Sequence, residues 1–187
     1  MSKKIKGKEW YSIVAPELFS NKVLGQTPVD DQKKLIWRKV ETPLINLTND
    51  MNKYYFKVNF RIINIKDKNA NTEFSGLECL RDYVSRMIRH GIDRIDTVQK
   101  LTTKDDKKII VKSVLVTNRK VKRGTEKSIN DFVKNNIKKI VESNKLDLFL
   151  TKVIDDSVKR QVMKEGSKIY PIRNFEFRKI EVPTNQI

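Results

Sequence analysis

Several groups of side chains in this 187-residue sequence have types and spacings that could do chemistry. Asp67, Asn69, Asn71, Glu73, Ser75 and Glu78 fall where a calcium-binding helix–loop–helix takes its oxygen ligands. Such a loop needs glycine at its sixth position, and Thr72 stands there. The residues before it alternate like a strand, so a hairpin turn is expected instead of a cation site. Cys79 and His90 would lie at opposite ends of one helix, roughly 16 Å apart, too far for a nucleophile and its base. The pairs Asp30–Asp31, Asp105–Asp106 and Asp155–Asp156 each sit at a turn or a helix start, where Asp caps backbone N–H groups. One Cys and one His cannot form an internal disulfide or a closed Cys/His zinc site, and no GxxxxGK[ST] loop is present. The expectation is therefore no catalytic residue, no metal and no cofactor.

The cations point elsewhere. Forty Lys and Arg against 23 Asp and Glu leave a formal charge of +17, which calls for an anionic partner. Two clusters hold four cations each with no acid among them: Lys3, Lys4, Lys6 and Lys8, then Arg119, Lys120, Lys122 and Arg123. Flexible basic segments of this kind reach into RNA grooves and fold on binding. Trp10, beside the first cluster, can stack on a base or pack on the body of the protein. Arg38, Arg86, Arg89, Arg173, Arg178 and Lys179 complete the candidate nucleic-acid contacts. No apolar run approaches the roughly 20 residues of a membrane span. The basic start has no apolar segment after it, so a secretory signal is not expected and a cytoplasmic protein is.

The elements that must position these residues follow from period. Residues 1–34 read as a basic amino-terminal arm without sustained helical or strand period, and 35–187 as a single α+β RNA-binding domain. Ile36, Val40, Thr42 and Leu44 share one parity, with Pro43 marking an edge strand. Tyr54, Phe56, Val58, Phe60 and Ile62 alternate with polar residues in the clearest strand, and 72–77 returns beside it. Leu80, Tyr83, Val84, Met87 and Ile88 make an amphipathic helix ending near His90–Gly91. A hairpin joins 92–102 to 108–117. Helix is expected from Ser128, capped by that residue with Asp131, and again over 146–153 and 155–170, with Pro171 as the stop. Parity shifts between Phe175, Phe177 and Ile180, Val182, which predicts a β-bulge near Arg178–Lys179. The class is α+β, with a largely antiparallel sheet or partial barrel and packed helices.

Read in order, the residues resemble one family. Trp10-Tyr11-Ser12-Ile13-Val14-Ala15-Pro16, Phe19 and Gly25-Gln26-Thr27 are similar to its amino-terminal signature. Leu35-Ile36-Trp37-Arg38 with Glu41, Leu47-Thr48 with Asp50, and Thr72-Glu73-Phe74-Ser75-Gly76 follow. Arg81-Asp82-Tyr83 with Ser85 and Arg89, Arg94-Ile95-Asp96, Thr102-Thr103-Lys104-Asp105 and Lys168-Ile169-Tyr170-Pro171-Ile172-Arg173 complete the series. The sequence resembles the archaeal and eukaryotic small-subunit ribosomal protein family S-three-a-e, the eukaryote-type S-one protein, over nearly its whole length. Two residues depart from the pattern: Trp37 stands where the family tends to have Gly, and Asp106 where a Gly would complete the hairpin turn.

The resemblance implies a structural constituent of the small ribosomal subunit, not an enzyme. It implies binding to small-subunit ribosomal RNA on the platform near the messenger RNA exit, beside neighbouring ribosomal proteins and with messenger RNA as a further contact. A free-standing RNA-binding regulator or RNA chaperone would use the same basic surface, and crosslinking to many messages would distinguish it. An RNA-modifying enzyme would need turnover on RNA, for which the residues supply no nameable machinery.

Overall fold

The computed structural model describes residues 7–183. Tyr11 and Ile13 alternate inward along β1 (Glu9–Val14), which pairs antiparallel with β2 (Val23–Val29) from Glu9↔Val29 to Val14↔Val23. No strand is expected over these residues, yet two form there. Their inward alternation spans only Tyr11, Ile13 and Ala15 before Pro16, too short to stand out in the sequence. β3 (Lys39–Pro43) begins later than its apolar parity suggested, because a 3-10 turn at Gln32–Lys34 comes first. Asp31 caps that turn by accepting the Lys33 N–H at 3.0 Å.

After the short helix α1 (Ile45–Thr48), β4 (Phe56–Lys66) buries Phe56, Val58, Phe60 and Ile62. Asp67 and Lys68 both take positive φ, 45° and 70°, the two-residue turn whose twist suits a hairpin. β5 (Asn69–Cys79) returns from it, so the calcium-like spacing is spread along a strand. Strands lie in the order β2-β1-β5-β4-β3, and β1 runs parallel to β5. Pro43 is on an edge strand, as its missing donor requires. Tyr11, Ile13, Val29, Leu35, Ile62 and Ala70 form a core, and Phe19 meets Phe60 edge-on at 5.5 Å. This unit ends at Leu77, and a second begins at Glu78.

In the second unit α2 (Arg81–Met87) stops short of the expected His90–Gly91 end. β6 (Arg94–Thr102) and β7 (Lys108–Thr117) form the expected hairpin in continuous register. Its turn places Asp106 at φ 56°, and Trp37 in the first unit lies at φ 70°. Both departures from the family pattern thus occupy left-handed backbone, where glycine is favoured.

α3 (Arg123–Ser143) begins five residues before Ser128, correcting the expected start. Ser128 is interior, and its hydroxyl donates back to the Gly124 carbonyl at 3.1 Å. Gly124 and the surrounding charges had disguised the first turn as loop. Ile129, Val133, Ile137 and Val141 are buried, and the helix packs on β6. α4 (Leu146–Ile154) is capped from a distance: the Asp105 carboxylate accepts the Leu146 N–H at 3.1 Å. Burial acts to raise that carboxyl's pKa, but hydrogen bonds from Thr103 and the backbone outweigh it and hold the pKa below the usual range. Asp156, by contrast, has no capping side-chain bond; it takes left-handed backbone at φ 58° before α5 (Ser157–Gly166). α5 ends five residues before Pro171.

β8 (Ile172–Glu181) pairs with β7, giving the row β6-β7-β8. Its register slips between Lys112↔Lys179 and Ser113↔Phe177, so Arg178 is the bulged residue, as predicted. A second slip, between Val116↔Asn174 and Thr117↔Ile172, bulges Arg173. Helices and mostly antiparallel strands make the class α+β, and the described strands of each unit form an open row.

Glu176, only 2% exposed, accepts from Lys159 on α5 and from the Tyr83 hydroxyl at 3.4 Å. Burial opposes the Lys159 charge, yet the Glu176 carboxylate more than compensates and raises its pKa. Glu176→Gln leaves that ammonium without its counter-charge and is expected to cost roughly 3 kcal/mol, read as a lower urea midpoint. Pairing it with Lys159→Met is expected to restore part of the loss.

Candidate nucleic-acid interface

The loop from Asn118 to Lys122 between β7 and α3 is basic in its side chains but held through its backbone. Asp93 organises it: its carboxylate accepts the Val121 N–H at 2.6 Å, and its carbonyl accepts the Thr117 N–H at 3.0 Å. The Thr117 hydroxyl donates to the Arg119 carbonyl at 2.7 Å, and the Tyr170 hydroxyl to the Lys120 carbonyl at 3.3 Å. A loop expected to be flexible is therefore held by its backbone bonds, while Arg119, Lys120 and Lys122 remain exposed. Arg123 is exposed too, as the first residue of α3.

Strand pairing adds a residue that sequence proximity does not. Asn118 donates to the Pro171 carbonyl at 3.2 Å, and the bulge at Arg173 lies two residues further on. Exposed Arg173 thus joins the loop at one end of the unit. Among the described residues none of Arg119, Lys120, Lys122, Arg123 and Arg173 is ion-paired with a carboxylate. Full positive charge on a fixed backbone suits phosphate contact, since little order is lost on binding.

The remaining candidates divide. Arg178 and Lys179 line a separate cleft of about 390 Å³ with Glu78, Arg81, Arg94 and Lys112. Lys179 lies 2.7 Å from Glu181 and 3.4 Å from Glu78, and the hydrogen bond to Glu181 leads the causes that raise its pKa. Arg94 grips Asp96 through two nitrogens at 2.9 and 2.7 Å, and Lys112 lies 3.1 Å from Glu181. Much of this cleft's charge is balanced internally. The register Lys112↔Lys179, which sets two cations opposite each other around one acid, was not readable from composition.

Arg86 on α2 donates to the Asp82 carbonyl at 3.2 Å, and exposed Arg89 follows the helix. In the first unit Lys8 is exposed, Trp10 is half-buried on β1, and exposed Arg38 donates to the Thr27 hydroxyl at 2.9 Å. Lys3, Lys4 and Lys6 lie outside the described residues. Cys79 is core: burial first, then the Glu176 charge, pushes its thiol up to about 12. Among the described residues no three His, Cys, Asp or Glu gather to hold a metal, and no helix is long and apolar enough to cross a membrane.

Residues 1–185 match the Ribosomal S3Ae family. The chain belongs to that family. It is 37% identical to the small ribosomal subunit protein eS1 of Methanopyrus kandleri, across 96% of this chain and 87% of that one. It is 35% identical to the protein of the same name from Archaeoglobus fulgidus, across 94% and 84%. The counterpart from Methanobrevibacter smithii is 34% identical across 95% and 92%. Ribosomal S3Ae is a family of ribosomal structural proteins, not of enzymes.

Changing Arg119, Lys120, Lys122 and Arg123 together to Gln tests the fixed loop. The backbone anchors do not use these side chains, so far-ultraviolet circular dichroism is expected to be unchanged. The slope of log affinity for a ribosomal RNA fragment against log salt is expected to flatten by about 3 if all four meet phosphates.

Proposed function

We propose that this chain is a constituent of the small ribosomal subunit, where it binds ribosomal RNA and supports translation. The observation that carries this reading is the family match along the chain, joined to relatives named as small-subunit proteins. The fixed basic end of the second unit supplies the physical counterpart, a surface whose cations await phosphates. On this reading the protein sits on the platform near the messenger RNA exit, packed against neighbouring small-subunit proteins and reaching messenger RNA there. It works in the cytoplasm. The loop with Arg173, the amino-terminal lysines, Trp10 and the arginines of α2 divide the RNA contacts, while Lys179 acts mainly as an internal counter-charge.

Sedimentation of cell extract through a sucrose gradient tests the assignment. The protein is expected to travel with small subunits and remain there in moderate salt, because many simultaneous phosphate contacts and protein neighbours hold it. Recovery only at the top of the gradient would overturn the reading.

A further inference from the structure

Trp37 is an expensive residue for its position. It lies at φ 70°, where a β-carbon is strained, and 61% of its surface remains exposed. Glycine would suit that backbone better, and so little burial contributes little to folding. The segment is nevertheless well held: the Trp37 N–H donates to the Ile62 carbonyl at 2.9 Å, and the Ile62 N–H donates to the Arg38 carbonyl at 3.0 Å. An indole is thus presented from a fixed backbone beside the β3–β4 pair.

One cation lies over the ring, and two more are close to it in chain or strand register. The Arg61 guanidinium carbon lies 5.7 Å from the ring centroid, and its Nη2 donates to the Ser75 hydroxyl at 3.4 Å. Lys39, opposite Arg61 in the strand register, is exposed, as is Arg38. Among the described residues none of these three is ion-paired with a carboxylate. A largely exposed indole with an unneutralised guanidinium over one face is the chemistry that takes a nucleobase on the open face and its flanking phosphates on nearby cations.

We propose that Trp37, with Arg61, Arg38 and Lys39, is a stacking platform for an unpaired base of single-stranded RNA. The proposal rests on the RNA-binding reading above and adds the strandedness of the ligand. A duplex keeps its base faces stacked internally, whereas a loop or free strand offers them to the indole. Every base has a π-face, so the platform tolerates sequence.

Of the two tryptophans, Trp37 alone remains in a Trp10→Phe variant. Its fluorescence is expected to be quenched by short oligoadenylate or oligouridylate and little changed by a blunt-ended, fully paired RNA duplex. Trp37→Gly is expected to weaken single-strand binding by about tenfold or more, with duplex binding and melting temperature preserved. Filter binding of wild type against Trp37→Gly gives the same comparison without the Trp10 change. Absent quenching, or equal single-strand affinity in Trp37→Gly, would overturn the platform while leaving duplex binding and sedimentation with subunits intact. Failure to bind either RNA would overturn the RNA-binding reading itself. In assembled subunits, an ultraviolet crosslink from Trp37 to ribosomal or to messenger RNA supports the platform and tells those sources apart; a crosslink to protein alone overturns it.

Discussion

A chain with 40 basic and 23 acidic residues must fold against its own repulsion. Its carboxylates answer that constraint by binding the frame. Asp93 fixes the basic loop, Asp105 ties a hairpin turn to the start of α4, and Glu176 meets Lys159 beneath β8. Glu181 lies between Lys112 and Lys179, two cations that strand pairing sets opposite each other. Burial alone would raise the Glu181 pKa, but hydrogen bonds and charge from those two lysines hold it below the usual range.

The free cations follow from the same arrangement. Where acids are used to pin backbone and cap helices, fewer remain to neutralise the outward Arg and Lys. Asp93 makes the point locally: its carboxylate receives the Val121 N–H from within the basic loop, while Arg119, Lys120 and Lys122 project from a backbone already held. The cleft around Arg178 shows the other outcome, since Glu78 and Glu181 both approach Lys179. Similar composition therefore gives an exposed cationic end in one place and an internally balanced cleft in another.

Much of the fold was legible because period survives burial. The inward alternation of Phe56, Val58, Phe60 and Ile62 and the parity shift around Arg178 are direct imprints of strand geometry. The β1–β2 pair was hidden because one short alternation is interrupted by Pro16, and the start of α3 because no side chain caps it. Charge exposed the loop cluster, but placing Arg173 beside it required the pairing of β7 with β8. The internal partners of Lys179 and the approach of Arg61 to Trp37 depend on chain segments remote in sequence. Local pattern carries the elements, whereas the balance between paired and free charge emerges only from register and packing.

The division between carboxylates that hold the frame and cations that stay free is tested most directly by urea unfolding of the free protein at increasing salt. Screening relieves repulsion among exposed cations more than it weakens the partly buried pairs. The urea midpoint is therefore predicted to rise between about 50 and about 300 mM sodium chloride. A midpoint that falls over that range would mean that exposed ion pairs hold the fold, and would contradict the account.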